Sequence, residues 1–186
     1  MTTPPDARSV RRNRIMLVGL FAIAIVPMFG AYLLYESSRS AAPWATTNRG
    51  ELLSPVLSVG DLQLASADGV TSMRNSGQWW LVVVTADGCT SECQAAVHQL
   101  RQLHILLGRD ATRIKRSLVA LGGAPVDASL AQYPELVRFT GETAALRPGV
   151  YIVDPLGNVV LRYDYQSAGK PVLEDMKQLL KVSHIG

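Results

Sequence analysis

Apolar residues are distributed along this chain in two different ways, and the change of pattern divides it. From Ile15 to Tyr35 the sequence reads IMLVGLFAIAIVPMFGAYLLY, an apolar run without a charged side chain. At about 1.5 Å per residue, a helix of that length spans the roughly 30 Å hydrocarbon core of a bilayer. Pro27 and the two glycines of the run are compatible with a membrane helix, which accepts both residues more readily than a soluble one. The competing reading is a cleaved signal peptide, whose apolar region is about 7–15 residues long and ends at a small-residue cleavage site. The longer run here closes on Tyr32 and Tyr35, aromatics suited to the membrane interface, and favours a retained anchor. The SSRSAA stretch from Ser37 to Ala42 still offers a site to a protease.

Beyond the anchor the apolar positions become short and periodic. Residues 36–60 mix Ser, Ala and Thr with Pro43, Pro55 and Gly50 and read as a linker, with Trp44 near the membrane surface. From Asp61 a folded domain is expected. Leu62 and Leu64 alternate with polar or small residues before an Asp68-Gly69 turn, which predicts an N-terminal hairpin. Gln78 to Thr85, QWWLVVVT, is a short, dense, β-branched run of the kind that fills a central strand. After Asp87-Gly88 a helical spacing follows from Thr90 to Leu107, with Val97, Leu100, Leu103 and Leu107 on one face and Gly108 as its stop. Arg116 to Leu121 predicts another strand. A helix is expected over Leu130 to Phe139, capped by Asp127 or Ser129. Val150 to Val153 and Asn158 to Tyr163 form a hairpin around Asp154–Gly157. Pro171 to Val182 is an amphipathic helix that turns Val172, Met176, Leu179 and Leu180 inward. The order hairpin, β, α, β, α, β, β, α calls for a mixed α/β sheet with helices on both faces. The expected organisation is therefore 1–14 cytoplasmic, 15–35 anchor, 36–60 linker and 61–186 domain.

Charge sets the orientation. The formal net charge is +3, but four of the 18 basic and one of the 15 acidic side chains lie within residues 1–35, leaving fourteen of each beyond. Arg8, Arg11, Arg12 and Arg14 precede the apolar run against Asp6 alone, so the positive-inside rule keeps the N-terminus in the cytoplasm and sends the domain outside. With too few charges for a mitochondrial presequence, the expected setting is a bacterial inner membrane with the domain in the periplasm. The neutral outer part carries no phosphate-binding patch of the sort a nucleic-acid partner needs.

The chemistry sits in Gly88-Cys89-Thr90-Ser91-Glu92-Cys93, which holds both cysteines of the chain. They fall where a buried strand ends and a helix begins. Free backbone N–H groups and the helix dipole there favour an anionic sulfur, the form that both disulfide exchange and soft-metal binding require. A structural bridge is the alternative in an oxidising compartment. Closing so short a loop constrains the unfolded chain by only ~2 kcal/mol, however, and a domain of this size does not depend on it. The sulfurs are expected to meet at an exposed mouth. Asp87 and Glu92 flank the pair as a strand end and a helix-dipole partner rather than as proton shuttles.

The stretch DLQLASADGVTSMRNSGQWWLVVV, the Cys89-x-x-x-Cys93 pair, YPELVRFTGET from Tyr133 to Thr143 and VYIVDPLG from Val150 to Gly157 stand in an order that resembles the Sco/SenC family of cytochrome oxidase assembly proteins. They also resemble the broader TlpA/ResA type of membrane-anchored thioredoxins. The resemblance implies a thioredoxin-like fold, Cu(I) bound by Cys89 and Cys93, and a membrane-bound respiratory oxidase subunit or its assembly factors as partner. Two departures qualify it. Sco-type proteins place a histidine ligand shortly before the strand at Val150; here Leu146, Arg147 and Pro148 stand there, and Pro148 takes the place of the cis-proline that faces the cysteines in thioredoxins. Thr90 and Gln94 also replace the prolines usual after each Sco-type cysteine. None of the three histidines substitutes: His98 lies about 140° round the helix from Cys93, His104 roughly 9 Å further along, and His184 in the tail. Met73 and Met176 read as packing. Three functions stay open: an assembly factor acting by Cu(I) transfer or thiol reduction, a general periplasmic thiol–disulfide oxidoreductase, and a catalytically inactive interaction module.

Overall fold

The computed structural model describes residues 7–40, 47–123, 130 and 132–183. Two compact units result, Met1–Thr47 and Asn48–Gly186. The expectations for Trp44, Asp127, Ser129 and His184 lie outside the described residues.

The first unit is one α-helix, α1 (Ala7–Ser40), with Pro27 inside it. Its stretch Arg11–Ser37 is long and apolar enough to cross a membrane, and the large apolar side chains along it, Leu20 and Phe29 among them, are exposed. Such a helix supports single-pass anchoring: apolar residues all round suit lipid, which satisfies no backbone group and so demands an internally bonded helix.

The second unit is a mixed sheet of seven strands, β1 (Glu51–Ser58), β2 (Ala65–Ser66), β3 (Trp79–Thr85), β4 (Ile114–Leu121), β5 (Leu136–Gly141), β6 (Gly149–Val153) and β7 (Asn158–Tyr163), in the order β1-β7-β6-β3-β4-β5-β2. Its centre is β3 (Trp79–Thr85), every residue of which is buried. Side chains alternate across a strand, so Trp79, Leu81 and Val83 enter one core while Trp80, Val82 and Val84 enter the other. On one side β3 pairs in parallel with β4 (Ile114–Leu121), which pairs in parallel with β5 (Leu136–Gly141). On the other side it pairs antiparallel with β6 (Gly149–Val153), which forms the expected hairpin with β7 (Asn158–Tyr163). Asp154 fixes that turn by accepting hydrogen bonds from the backbone N–H groups of Leu156 and Asn158, at 2.9 and 2.7 Å.

Helices α2 (Ser91–Leu106) and α3 (Lys170–Val182) supply the first core with Val97, Leu100 and Leu103, and with Val172, Met176 and Leu180. Both therefore pack on the same face, where the sequence pattern predicts helices on both. The second core is covered instead by a short 3-10 turn, Val59–Asp61, and the chain that follows it, which insert Val59, Leu62 and Met73. Both methionines read as packing are indeed buried.

Three further expectations change. Residues 48–60 are not all linker: β1 (Glu51–Ser58) pairs antiparallel with β7 at the sheet edge. The expected N-terminal hairpin does not form among the described residues. The strand β2 (Ala65–Ser66) pairs with β5, and the Asp68 carboxylate gathers the backbone N–H groups of Val70 and Thr71, at 3.0 and 2.8 Å, into a side-chain-built turn. Hydrogen bonds from Ser66, Thr71 and these amides hold the Asp68 carboxyl well below the usual carboxylate range. Finally, 136–141 is strand rather than helix: Pro134 and the β-prone LVRFT run favour extended chain, and β4 offers a parallel ladder that satisfies its backbone.

A buried carboxylate ties the start of this unit to its last helix. Asp175, 3% exposed, accepts hydrogen bonds from the N–H groups of Arg49 and Gly50 at 2.8 and 3.0 Å and from the Tyr163 hydroxyl at 2.7 Å. Gly50 has to be glycine, because a Cβ there would stand 2.5 Å from the Tyr163 ring. Burial first, and then the Asp175 contact, push the Tyr163 hydroxyl pKa far up. Asp175→Ala orphans three donors and should cost about 3 kcal/mol, read as a lower midpoint of urea unfolding of the full chain in detergent by tryptophan fluorescence. Because an unfolded tyrosine ionises near pH ~10 and the folded one later, stability should be complete below that pH and decline above it. Tyr163→Phe should flatten the alkaline decline; an unchanged slope would contradict this account.

Candidate functional site

The carboxyl end of β3 delivers the cysteines. Thr85 closes the strand, and its Oγ1 donates to the Gly88 carbonyl at 2.5 Å, folding the chain back on itself. Gly88 takes φ of 87°, a conformation that glycine adopts without steric cost. Cys89 follows, Thr90 caps α2 through its backbone, and Cys93 lies in the first turn of that helix. Gln94 Nε2 returns to donate to the Cys89 carbonyl at 3.1 Å.

Cys89 and Cys93 form a disulfide, with Cα atoms 5.1 Å apart. The two sulfurs do meet, as expected, but their environments differ. Both belong to the core beneath α2, where Cys89 keeps 8% of its surface in contact with solvent and Cys93 has 0%. The expected exposed mouth is therefore not found: both cysteines are buried, and Cys89 alone keeps a narrow access to solvent. Chemically, this separates a sulfur that a partner can approach from one that only its neighbour can reach.

Pro148 stands beside the same end of β3, since the register sets Gly149 opposite Val84. Its expected cis geometry is not found: among the described residues the one cis peptide is Ser54–Pro55. The loop before β6 is held instead by Tyr151, whose hydroxyl accepts from the Arg147 N–H at 3.1 Å and donates to the Arg147 carbonyl at 2.8 Å. Pro148 is exposed, and its carbonyl accepts from Arg162 at 3.3 Å. Gly149 permits the sharp entry into β6, because a Cβ there would lie 2.6 Å from the Tyr163 carbonyl.

Sequence reasoning missed Tyr165 and Thr85. The Tyr165 hydroxyl donates to the Val84 carbonyl at 2.5 Å, at the point where β3 pairs with Gly149 of β6. Burial raises its pKa, so it stays a neutral donor that joins the ends of β3 and β6 next to the cysteine loop. Its Asp-Tyr-Gln-Ser context has no periodicity that would have marked it. Asp87 and Glu92 are exposed, as expected of a strand end and a helix start.

Reduction of the disulfide would make two thiolates available to a soft metal. Among the described residues no group of three or more His, Cys, Asp or Glu side chains is arranged to hold one, so the pair lacks a third protein donor of those types. His98 bonds to Tyr133 at 3.3 Å and Gln102 at 2.9 Å, and His104 Nε2 lies 2.8 Å from the Ala111 carbonyl, which its N–H can bond.

The family model described as the transmembrane-like, thioredoxin-like, C-terminal domain matches residues 79–183, more than half of the chain. The chain belongs to that family. The sheet and its flanking helices are thus thioredoxin-like. No curated protein matches the sequence. Among solved structures, copper-bound ScoI of Arabidopsis thaliana is similar at 16% identity over 62% of this chain and 95% of that one, with a TM-score of 0.44. Copper-bound ScoI of Bradyrhizobium japonicum follows at 15% over 63% and 96%, TM-score 0.44. The thioredoxin domain of a thiol-disulfide oxidoreductase from Bacteroides vulgatus shows 14% over 73% and 99%, TM-score 0.45.

The unequal burial gives a direct expectation. In the reduced, folded protein iodoacetamide should alkylate Cys89 at least tenfold faster than Cys93, read by peptide mass spectrometry. Equal rates would mean that Cys93 is not enclosed.

Proposed function

We propose that this protein is a membrane-anchored thiol–disulfide exchange factor that serves the assembly of a respiratory copper enzyme such as cytochrome c oxidase. The observation that carries the chemistry is the disulfide between a solvent-edge Cys89 and an enclosed Cys93 at the mouth of α2. In the reduced state, the Cys89 thiolate, favoured by the N-terminus of α2, attacks one sulfur of a partner's disulfide. A mixed disulfide forms and the partner's other sulfur leaves as a thiolate. Cys93, deprotonated, then attacks the Cys89 sulfur, re-forms the internal bridge and releases the partner with both cysteines reduced. Two electrons pass to the partner, and a dithiol donor from another protein restores the pair. Pro148 and Gly149 edge the surface on which the partner's chain would lie.

The arginines before the apolar run of α1 favour a cytoplasmic N-terminus and a periplasmic domain in a bacterial inner membrane. Anchoring would keep the domain at the surface where a membrane-bound partner matures, raising effective concentration without tight affinity. Copper-binding cysteines of an oxidase subunit are the substrate this arrangement suits, since they must be reduced before they take metal. The three-residue spacer between the cysteines favours a second form of the same role, in which the reduced pair carries Cu(I) as cargo between two sulfurs.

Equilibration of the full chain against thiol buffers should show a reversible two-electron couple, and Cys93→Ser should trap a mixed disulfide with its partner. An irreducible bridge and no trapped species would reject exchange. Cu(I) titration of the reduced protein against Cys89→Ser and Cys93→Ser tests the cargo form. Oxidase assembly that survives loss of both cysteines would leave an inactive interaction module.

A further inference from the structure

A second polar site lies on the α2 side of the sheet, toward the β5 edge. Alternation along β4 puts Ile114, Arg116 and Leu118 on one face, and Ile114 and Leu118 are in the core beneath α2. The Arg116 guanidinium is thereby drawn into an apolar layer, with the residue only 4% exposed. Its Nη2 donates to Glu135 at 3.0 Å, but the Glu135 side chain is 77% exposed and so is readily displaced into water. The other terminal nitrogen, Nη1, is buried and has no hydrogen-bond partner. An unpaired N–H on a buried cation is among the costlier defects a fold can retain, and native proteins seldom keep one without use. Arg138 pairs with Leu118 across β5, on the face shared with Leu136, and its Nε is likewise buried and unpartnered.

Arg101 approaches from α2, its guanidinium 5.8 Å from the centre of the Tyr133 ring. Arg101, Arg116, Gln132, Tyr133, Pro134 and Glu135 line one cavity of about 130 Å³. Two guanidiniums therefore face a small space against a single, largely exposed carboxylate. Guanidiniums pair with planar or tetrahedral oxyanions through parallel N–H···O bonds, and a partly enclosed cavity strengthens such pairs.

We propose that this cavity binds a small oxyanion, phosphate or a carboxylate, held by Arg116 and Arg101. Glu135 occupies the anion's place in the empty site and swings to solvent when the ligand enters.

The test is calorimetric titration of the full chain in detergent with inorganic phosphate and, separately, succinate, at constant ionic strength with chloride. Saturable binding of either is expected, and the two arms tell which oxyanion fits. Glu135→Gln should tighten binding several-fold by removing the competitor, and Arg116→Met should weaken it at least tenfold. Arg101→Ala, at an exposed position that leaves folding intact, should weaken it at least threefold. Absence of binding, weaker binding in Glu135→Gln, or affinity unchanged in Arg101→Ala would overturn the proposal.

Discussion

Burial of β3 on both faces is the constraint on which the outer unit is built. A seven-residue run with no water-facing side chain has to be flanked by strands and covered above and below, since its backbone and side chains are satisfied nowhere else. The parallel partner β4 returns through α2, and the antiparallel partner β6 comes with its own hairpin. Trp80, 0% exposed, bonds through its indole N–H to Ser76 at 2.8 Å and meets the Phe139 ring edge-on at 5.9 Å, so the second core is locked to the same strand.

The cysteine site inherits its geometry from that strand. Where β3 runs out at Thr85 the chain must leave the sheet, and the Thr85–Gly88 contact aims Cys89 at the start of α2. Cys93, one turn on, faces the sheet with Ala96, Val97 and Leu100 because helical spacing allows nothing else. Unequal exposure of the two sulfurs is therefore a by-product of packing an amphipathic helix on a buried strand, and it is the asymmetry on which the proposed exchange rests. Tyr165 and Gly149 close the same corner from β6 and the chain after β7. At the far end of the chain Asp175 performs a comparable service, receiving three donors from two separate segments.

Much of this was legible beforehand where one force dominated. The anchor, β3, β4, α2, the β6–β7 hairpin and α3 each carry a strong period or a long apolar run. Errors arose where local pattern and tertiary opportunity competed. Leu136–Gly141 has apolar residues at spacings that suit either state, and the free edge of β4 decided for strand. Leu52–Leu57 flanks a proline and looks like linker, yet β7 offered it a ladder. The supposed hairpin around Asp68 yielded to a carboxylate that bonds its own neighbours, a choice governed by side-chain geometry rather than by alternation. Pro148 was placed by analogy of position, and its trans peptide shows that position alone does not determine conformation.

The sequence by itself determined which segments avoid water and with what period, because hydrophobic spacing is a property of neighbouring residues. That was enough for an apolar span, a mixed α/β sheet and a cysteine pair at a strand–helix junction. Only the tertiary structure decided that α2 and α3 share one face, that Cys93 is fully enclosed while Cys89 keeps a sliver of surface, that Tyr165 reaches Val84 across 81 residues, and that Arg116 is buried beside a cavity. Those outcomes depend on contacts between residues far apart in the chain, whose burial is set by what the rest of the fold brings against them.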